Sequence, residues 1–472
     1  MDYQKELFDL IESRKEEVYE ISDKVWEYAE PRFQEFRSAK LEADFLEVNG
    51  FKVQRGLCGE DTAYLAEFGS GQPVIAMLGE YDALSGLSQE ADIDEKKPII
   101  EGGQGHGCGH NLLGAGPIAS ALAIKAYMEK HGTKGTLRVY GCPAEENAGG
   151  KEFLARDGAF DDVDICMSWH PGTSNFAVDS GCLANFRIFY TFHGLSSHAA
   201  GAPHLGRSAL DAVELMDVGV NYMREHMIDE ARIHYAIIDT GGTAPNVVQS
   251  QATVLYAIRA PKVTDVKELA ERVNNCARGA ALMTGTTVDI RHVAAYSDYV
   301  ANDVVKNTIK KHMEELLPLD YTDEEIAYAQ KFHEAITELD KVNLKKTAEM
   351  EAGKDWAKLV DMPIWNFYQK NPGKMSGSND AGAVSYKCPF AFFFTATSAS
   401  GTPGHSWQNV AQGKGPVAKK GMLFAAKVMA AACVDFFEDP ELVKAAKEEW
   451  NEVVGPDGYP DPLPKGSKPE IW

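Results

Sequence analysis

The chain has 472 residues, too many for one ordinary hydrophobic core, so two domains are expected. Its composition, 44% hydrophobic, 25% charged and 10% aromatic, is that of a globular protein and excludes a disordered or fibrous chain. Forty-seven basic against 70 acidic residues leave a formal charge of −23, which repels phosphate backbones and anionic lipid and so argues against nucleic acid or a membrane surface as partner.

Residues 3 to 29 carry helical periodicity, with Leu7, Leu10, Ile11, Val18, Ile21 and Val25 on one side. This acidic start has no basic segment leading into an apolar stretch, so no secretory leader is expected. No run reaches the roughly 18 apolar residues of a membrane span. Eight scattered cysteines without a CxxC pair suit a reducing compartment, and the expected location is cytoplasmic. A second helix is predicted from Ala39 to Asn49, stopped by Gly50. Strand-length apolar runs follow at Ala63–Phe68, Val74–Leu78 and Thr136–Gly141, with an amphipathic helix from about Gly114 to Lys130 between the last two. That alternation predicts an α/β fold with a mostly parallel central sheet, as in phosphorylase/hydrolase-like folds.

Near residue 181 the texture changes. Asn185–Thr191 alternates like a strand with one exposed face, followed by a helix from Ser208 to Glu225 and strands at Arg232–Ile238 and Gln251–Arg259. A helix at Val266–Thr284 and a strand at Thr287–Val293 complete a strand–helix–strand–strand–helix–strand order. This is the ferredoxin-like α+β pattern. The expected organisation is therefore a discontinuous catalytic domain, 1–183 and 301–472, with an inserted lid or dimerisation domain at 184–300. A charged helical segment spans 303 to 350, and the Pro- and Gly-rich tail from Gly455 is expected to be a surface extension.

The chemistry concentrates in four places. His106-Gly-Cys108-Gly-His110-Asn111 offers a thiolate and an imidazole from one glycine-rich turn. Gly141-Cys-Pro-Ala-Glu145-Glu146-Asn147 follows an apolar strand; taken alone, its carboxylate pair reads more readily as a solvated acidic turn than as a site. Trp169-His170-Pro171-Gly172 and Thr402-Pro-Gly-His405-Ser-Trp407 each follow an apolar run, and either histidine alone could be structural. Recurrence decides the reading. Cys108, His110, Glu146, His170 and His405 all fall in loops after expected strands, which converge on one crevice in an open α/β sheet. Five such donors suit two adjacent divalent ions.

In this order the motifs resemble the metallopeptidase clan of aminoacylases, hippurate hydrolases and dizinc carboxypeptidases. The similarity extends from Trp26 to about Phe437. It includes Gly194-Leu-Ser-Ser-His198-Ala-Ala200 with Pro203-His204, and Gly241-Gly-Thr-Ala-Pro-Asn246 through Arg259. Asn111-Leu-Leu after Cys-Gly-His, Glu80-Tyr-Asp82-Ala-Leu, Gly377-Ser-Asn-Asp380 and the ending His-Ser-Trp-Gln408 are similar to the aminobenzoyl-glutamate utilisation group, B type, of the amidohydrolase branch.

The resemblance implies a metal-dependent amidohydrolase that cleaves an N-acyl or N-aroyl amino acid, with p-aminobenzoyl-glutamate the leading substrate. It implies two divalent metal ions per subunit, zinc or manganese, held by Cys108 as a bridge with His110, Glu146, His170 and His405. Glu145 would be the general base, Asp82 would orient a ligand imidazole, and His198 would stabilise the oxyanion, often in the active site of a second subunit. Asn246 and Arg259 would bind a substrate carboxylate. A homodimer through the inserted domain is implied, with a second homologous subunit possible and movement about linkers at 181–185 and 298–303. Rival readings are a nucleophilic Cys108, a turn-capping Asp82, a strand-surface ion pair for Arg259, a dipeptidase or N-acyl-amino-acid deacylase of the same fold, and a non-catalytic subunit or binding protein.

Overall fold

The computed structural model describes residues 3–179, 181–373, 377–456 and 458–471. It begins with helices α1 (Tyr3–Ser13), α2 (Lys15–Tyr28) and α3 (Phe36–Val48). The single helix expected over 3–29 is thus interrupted at Arg14, whose φ of −111° and ψ of 9° leave the helical region while its guanidinium pairs with Glu17. Strands β1 (Lys52–Arg55), β2 (Tyr64–Ser70) and β3 (Val74–Glu80) follow, then α4 (His110–His131), β4 (Gly135–Cys142), α5 (Gly150–Arg156), β5 (Ile165–Gly172) and β6 (Phe176–Ala177).

The next six elements are β7 (Ala184–His193), α6 (Ala209–Met223), β8 (Arg232–Asp239), β9 (Gln251–Ala260), α7 (Val263–Thr284) and β10 (Thr287–Tyr296). Helices α8 (Asp303–Leu316), α9 (Asp323–Glu334), α10 (Glu338–Ala352), α11 (Trp356–Val360) and α12 (Ala381–Ser385) lead to β11 (Phe390–Ala396). The chain closes with α13 (Trp407–Gln412), α14 (Pro416–Glu438) and α15 (Pro440–Val454).

Seven strands form one sheet in the order β1-β2-β4-β3-β5-β11-β6. Its four central strands, β4, β3, β5 and β11, are parallel, and the flanking β1, β2 and β6 pair antiparallel. Every residue of β3 is buried. Its two faces divide by the period of two: Ile75 and Met77 join the core under α1–α4 and α14, while Val74, Ala76 and Leu78 face Phe160, Val384 and Phe390.

Helix α4 starts four residues before the expected position and is not amphipathic there. Residues 110 to 124 are all buried, because α4 lies between the sheet and α14. Glycines let it lie close: a Cβ on Gly116 would come within 2.6 Å of the Trp169 indole nitrogen.

The four strands β7–β10 form a second sheet, wholly antiparallel, in the order β10-β7-β9-β8. This is the ferredoxin-like arrangement. Phe186, Ile188, Tyr190 and Phe192 of β7 pack with residues of α6 and α7. The opposite face of β7 is not simply solvated as the alternation suggested: Asn185 is 1% exposed and, with Arg187, lines an internal cleft.

The tail departs from expectation too. Leu463 packs into the core of the second sheet, the Tyr459 hydroxyl donates to Glu152 at 2.6 Å, and Lys267 donates to the carbonyls of Pro460 and Asp461. Arg156 donates to Ser467 O, and Arg291 pairs with Glu470. The tail is a strap joining both sheets.

Candidate dinuclear metal centre

The carboxyl ends of β3, β4, β5 and β11 open on one crevice, as a parallel sheet requires. The donors come from more varied positions than loops alone. Cys108 lies in the connection between β3 and α4, and His110 is the first residue of α4. Glu145 and Glu146 follow β4, His170 is inside β5 near its end, and His405 lies between β11 and α13. The turn before α4 needs glycine: Gly109 has φ +78°, and a Cβ there would come within 2.8 Å of Pro171. The Glu145-Glu146 turn is flanked by two non-glycine residues at positive φ, Ala144 (+59°) and Asn147 (+77°), backbone strain of the kind that collects at working sites.

Two donor groups share one sulfur. Cys108, His110 and His170 form the first, and Cys108, Glu146 and His405 the second; the ligand atoms within each lie within 4.8 Å of one another. The Cys108 sulfur is 3.4 Å from His170 Nε2, and His405 Nε2 is 3.3 Å from Glu146 Oε1. Burial pushes the Cys108 thiol up, but His170 and His110 more than offset it and hold the sulfur well below the ordinary thiol range, as a thiolate ligand requires.

The buried His110 Nε2 and Glu146 Oε1 make no well-aligned hydrogen bond, although Glu80 Oε2 and His405 Nε2 lie 3.2 and 3.3 Å from them. Buried polar atoms left without a hydrogen bond are costly unless another group satisfies them. Soft and borderline donors in this arrangement fit divalent zinc-like ions.

Asp82, 1% exposed, orients both groups. Its Oδ1 is 2.8 Å from His110 Nδ1 and its Oδ2 accepts from the Glu146 backbone N–H at 2.8 Å. The His170 ring is likewise fixed, its Nδ1 donating to Pro171 O at 2.7 Å. Burial, then Glu146, Glu80 and Asp380, push the Glu145 carboxyl well above the usual carboxylate range, so it can take up a proton readily.

The cleft beside these groups has a volume of about 310 Å³. Its far wall is the second sheet, contributing Asn185, Arg187, Arg259 and Tyr296. The Tyr296 hydroxyl donates to Glu145 O at 3.1 Å, joining that wall to the turn that bears the two carboxylates. A larger surface groove of about 670 Å³, lined by α1, α2 and α14, lacks such chemistry: its Lys15, Lys419, Lys420 and Lys427 are paired with Glu12, Asp23, Glu325 and Glu12.

The chain resembles known proteins over nearly its whole length. Residues 76–467 match the model of peptidase family M20/M25/M40. The B-type subunit of p-aminobenzoyl-glutamate hydrolase from Escherichia coli (strain K12) is 43% identical over 468 residues, 98% of this chain and 97% of that one. The chain belongs to peptidase family M20/M25/M40. It is a metallo-amidohydrolase, acting on amide bonds. The mouse Xaa-Arg dipeptidase is 32% identical over 297 residues, 60% of this chain and 64% of the dipeptidase. The crystal structure of an aminobenzoyl-glutamate utilization protein from Klebsiella pneumoniae shares the fold, with a TM-score of 0.63 and 17% identity, covering 91% of this chain and 98% of that one.

Of the residues singled out from sequence, the single chain gathers Cys108, His110, Glu145, Glu146, His170, His405, Asp82 and Arg259 around the cleft. It does not bring His198 or Asn246 there. Both are exposed on neighbouring loops of the second sheet, where Ala199 N donates to Asn246 O. His198 Nδ1 accepts from Ala200 and Gly201 N–H, which leaves Nε2 as the protonated, outward nitrogen.

Three site residues escaped sequence reasoning. Glu80 Oε2 lies 3.2 Å from His110 Nε2, and Glu80, His110 and Glu145 form a third close donor group. Lys151, fully buried, is 2.6 Å from both Glu80 and Asp380. Arg187 stands beside Arg259 on the cleft wall. The motifs Glu80-Tyr-Asp82-Ala-Leu and Gly377-Ser-Asn-Asp380 were the only sequence signal near the first two.

Proposed function

We propose that this chain hydrolyses the amide bond of an N-acyl or N-aroyl amino acid, with p-aminobenzoyl-glutamate, yielding p-aminobenzoate and glutamate, the leading substrate. The observation that carries this reading is the pair of donor groups sharing Cys108, set beside a proton-accepting Glu145 in one cleft. Cys108, His110 and His170 would hold one divalent ion, and Cys108, Glu146 and His405 a second, zinc or manganese. When bound, the ions supply Lewis acidity that polarises the scissile carbonyl and lowers the pKa of water.

Glu145 takes the proton from the attacking water and returns it to the leaving amine nitrogen, which needs a carboxyl of raised pKa. Asp82 keeps His110 in one tautomer and orientation. Arg259 holds the substrate carboxylate. His198 and Asn246 complete the site from a second copy of the chain, His198 donating Nε2–H to the developing oxyanion.

In this reading residues 1–183 and 301–472 are the catalytic domain and 184–300 a lid through which a homodimer forms. The unpaired edge strand β8, with Tyr235, Ile237 and Ile238 exposed, and the exposed Leu215, Val218 and Tyr222 of α6 support that interface. The bacterial relative is itself named as one of the subunits of its enzyme, which supports a second, homologous subunit as a further partner. A cytoplasmic location goes with eight unpaired cysteines. No described helix is long and apolar enough to cross a membrane.

The test is metal analysis together with product release. About two divalent ions per chain and release of free glutamate are expected. Glu145→Gln should keep the metal and lose roughly 10²–10⁴-fold in kcat. Full activity in Glu145→Gln, or full metal content and activity in Cys108→Ala, would overturn the assignment. A dipeptidase of the same fold is the second reading, supported by the identity to the mouse enzyme; a panel of acyl-amino acids and dipeptides separates the two.

A further inference from the structure

The far wall of the cleft carries two guanidiniums and no acid. Asn185 and Arg187 are two residues apart on β7 and so share a face. The register sets Arg259 of β9 and Tyr296 of β10 on either side of Asn185, which makes Arg187 and Arg259 diagonal neighbours. Such diagonal neighbours are about 7–8 Å apart, close enough for both heads to reach one ligand. Among the described residues, the Nε of each and Asn185 Oδ1 are buried without a hydrogen-bond partner.

Among the described residues Arg187 donates to a neutral acceptor, Asn147 Oδ1, and sits 5.9 Å from the Tyr296 ring centre. Burial and then the charge of Arg187 lower the pKa of Arg259, with no carboxylate opposing them. Two half-buried like charges without an anion are unfavourable in the free protein. Some arginines elsewhere find acids, as Arg138 does with Glu67 and Asp162 and Arg55 with Asp44 and Glu47, whereas Arg207 and Arg224 donate to carbonyl and amide oxygens.

The two heads are also tethered differently. Arg187 is drawn by Asn147 toward the turn bearing Glu145 and Glu146, and Arg259 has no such tether. That arrangement suits two carboxylates better than one carboxylate clamped twice. We propose that Arg187 forms a second carboxylate subsite beside Arg259, taking the side-chain carboxylate of the amino-acid half of the substrate. The chain then selects N-acyl derivatives of dicarboxylic amino acids. This rests on the amidohydrolase reading of the cleft, with Arg259 on the α-carboxylate. It also disfavours a substrate with a cationic side chain, which would meet Arg187.

The experiment uses the metal-loaded full-length protein and two readouts. Initial rates are compared for N-(4-aminobenzoyl)-L-glutamate and its neutral isostere N-(4-aminobenzoyl)-L-glutamine. Wild type should favour glutamate by roughly 10²-fold or more, since a buried charged subsite left unpaired penalises the isostere. Arg187→Met should lose most of that ratio by losing activity on glutamate, and Arg187→Lys should keep part of it.

An unchanged ratio in Arg187→Met, including an equal fall on both substrates as a single clamped carboxylate would give, overturns the proposal. The second readout is thermal stabilisation by free L-glutamate against L-glutamine, in wild type and Arg187→Met. If neither amide is cleaved, the catalytic reading fails; the subsite still stands if glutamate stabilises wild type alone, and falls if the two ligands stabilise alike.

Discussion

Lys151 lies where burial is most costly. Its side chain is fully buried at the start of α5, and its Nζ is 2.6 Å from Glu80 Oε1 and 2.6 Å from Asp380 Oδ1. The Lys151 backbone N–H adds a third bond, to Asp380 Oδ2 at 2.9 Å. Burial disfavours the ammonium, but Asp380 and Glu80 more than offset it and raise its pKa well above the ordinary lysine value. Lys151→Met keeps much of the volume and removes the charge, leaving buried Asp380 (0% exposed) without its cation and Glu80 (2%) with only His110 Nε2 at 3.2 Å.

Breaking a buried pair from one side costs about 3–5 kcal/mol. Two carboxylates lean on this one ammonium, Asp380 most and Glu80 with His110 as a second partner, so the upper half of that range applies. For a cooperative unit of this size it corresponds to a fall in Tm of roughly 5 °C, from about 2 cal/mol/K of unfolding entropy per residue. The assay is calorimetric unfolding of the metal-free chain. Lys151→Met combined with Glu80→Gln and Asp380→Asn should recover a large part of the loss, because removing all three charges removes the uncompensated ones. A single variant within about 1 kcal/mol of wild type, or a triple variant worse than the single, would refute the reasoning.

Two further outcomes follow from buried carboxyls. Glu42 is fully buried under a single bond from the Tyr64 hydroxyl, and burial lifts its pKa to about 8 against that bond. The folded state therefore keeps a proton that the unfolded chain releases near 4.5, and the stability this gives is lost as pH rises toward 8. Glu42→Gln should match wild type in urea midpoint at pH 5 and exceed it at pH 8.5, by on the order of 1–3 kcal/mol; an equal offset at both pH values would refute this. Asp82→Asn should weaken metal affinity by about 10–100-fold in a chelator competition, since it disturbs the acceptors for both His110 and the Glu146 backbone. Unchanged affinity would assign Asp82 to the turn alone.

The donor set was legible because a glycine-rich turn and polar residues after apolar runs are local signals. Cys108, His110, Glu146, His170 and His405 each announce themselves within a few residues. The second sheet was legible for the same reason, its six elements following the ferredoxin-like order. Lys151 was not, because its partners lie 71 and 229 positions away and nothing in the run Gly149-Gly-Lys151-Glu reveals which way the ammonium points. Arg187 was hidden in an apolar strand whose register with β9 and β10 only the fold supplies. The early start of α4 went unread because Asn111, Gly114, Gly116 and Pro117 are poor helix formers; packing between the sheet and α14 overrides that preference. The tail looked like a loop by composition, and its contacts depend on single residues, Tyr459 and Leu463, whose partners are distant in sequence.

The charges of the cleft divide by origin. The floor, at the ends of the parallel strands, presents the Cys108 sulfur with Glu145 and Glu146, while the wall contributed by the second sheet presents Arg187 and Arg259. The two surfaces are tied directly, by Tyr296 to Glu145 O and by Arg187 to Asn147. A ligand with its carboxylates at one end and an amide at the other can therefore enter in one sense only. Reversed, it would set its own anions against the floor carboxylates and leave both guanidiniums unpaired, and each unmade charged contact costs about 1–3 kcal/mol. Orientation is in this way built into the field of the cleft before any close contact forms. Metal loading strengthens it: cations on the floor relieve the repulsion that Glu145 and Glu146 exert on each other, and leave the arginines as the remaining unpaired charges. Stabilisation by a dicarboxylate should accordingly be larger for the metal-loaded chain than for the metal-free one, which is what coupling between the two halves of the cleft means thermodynamically.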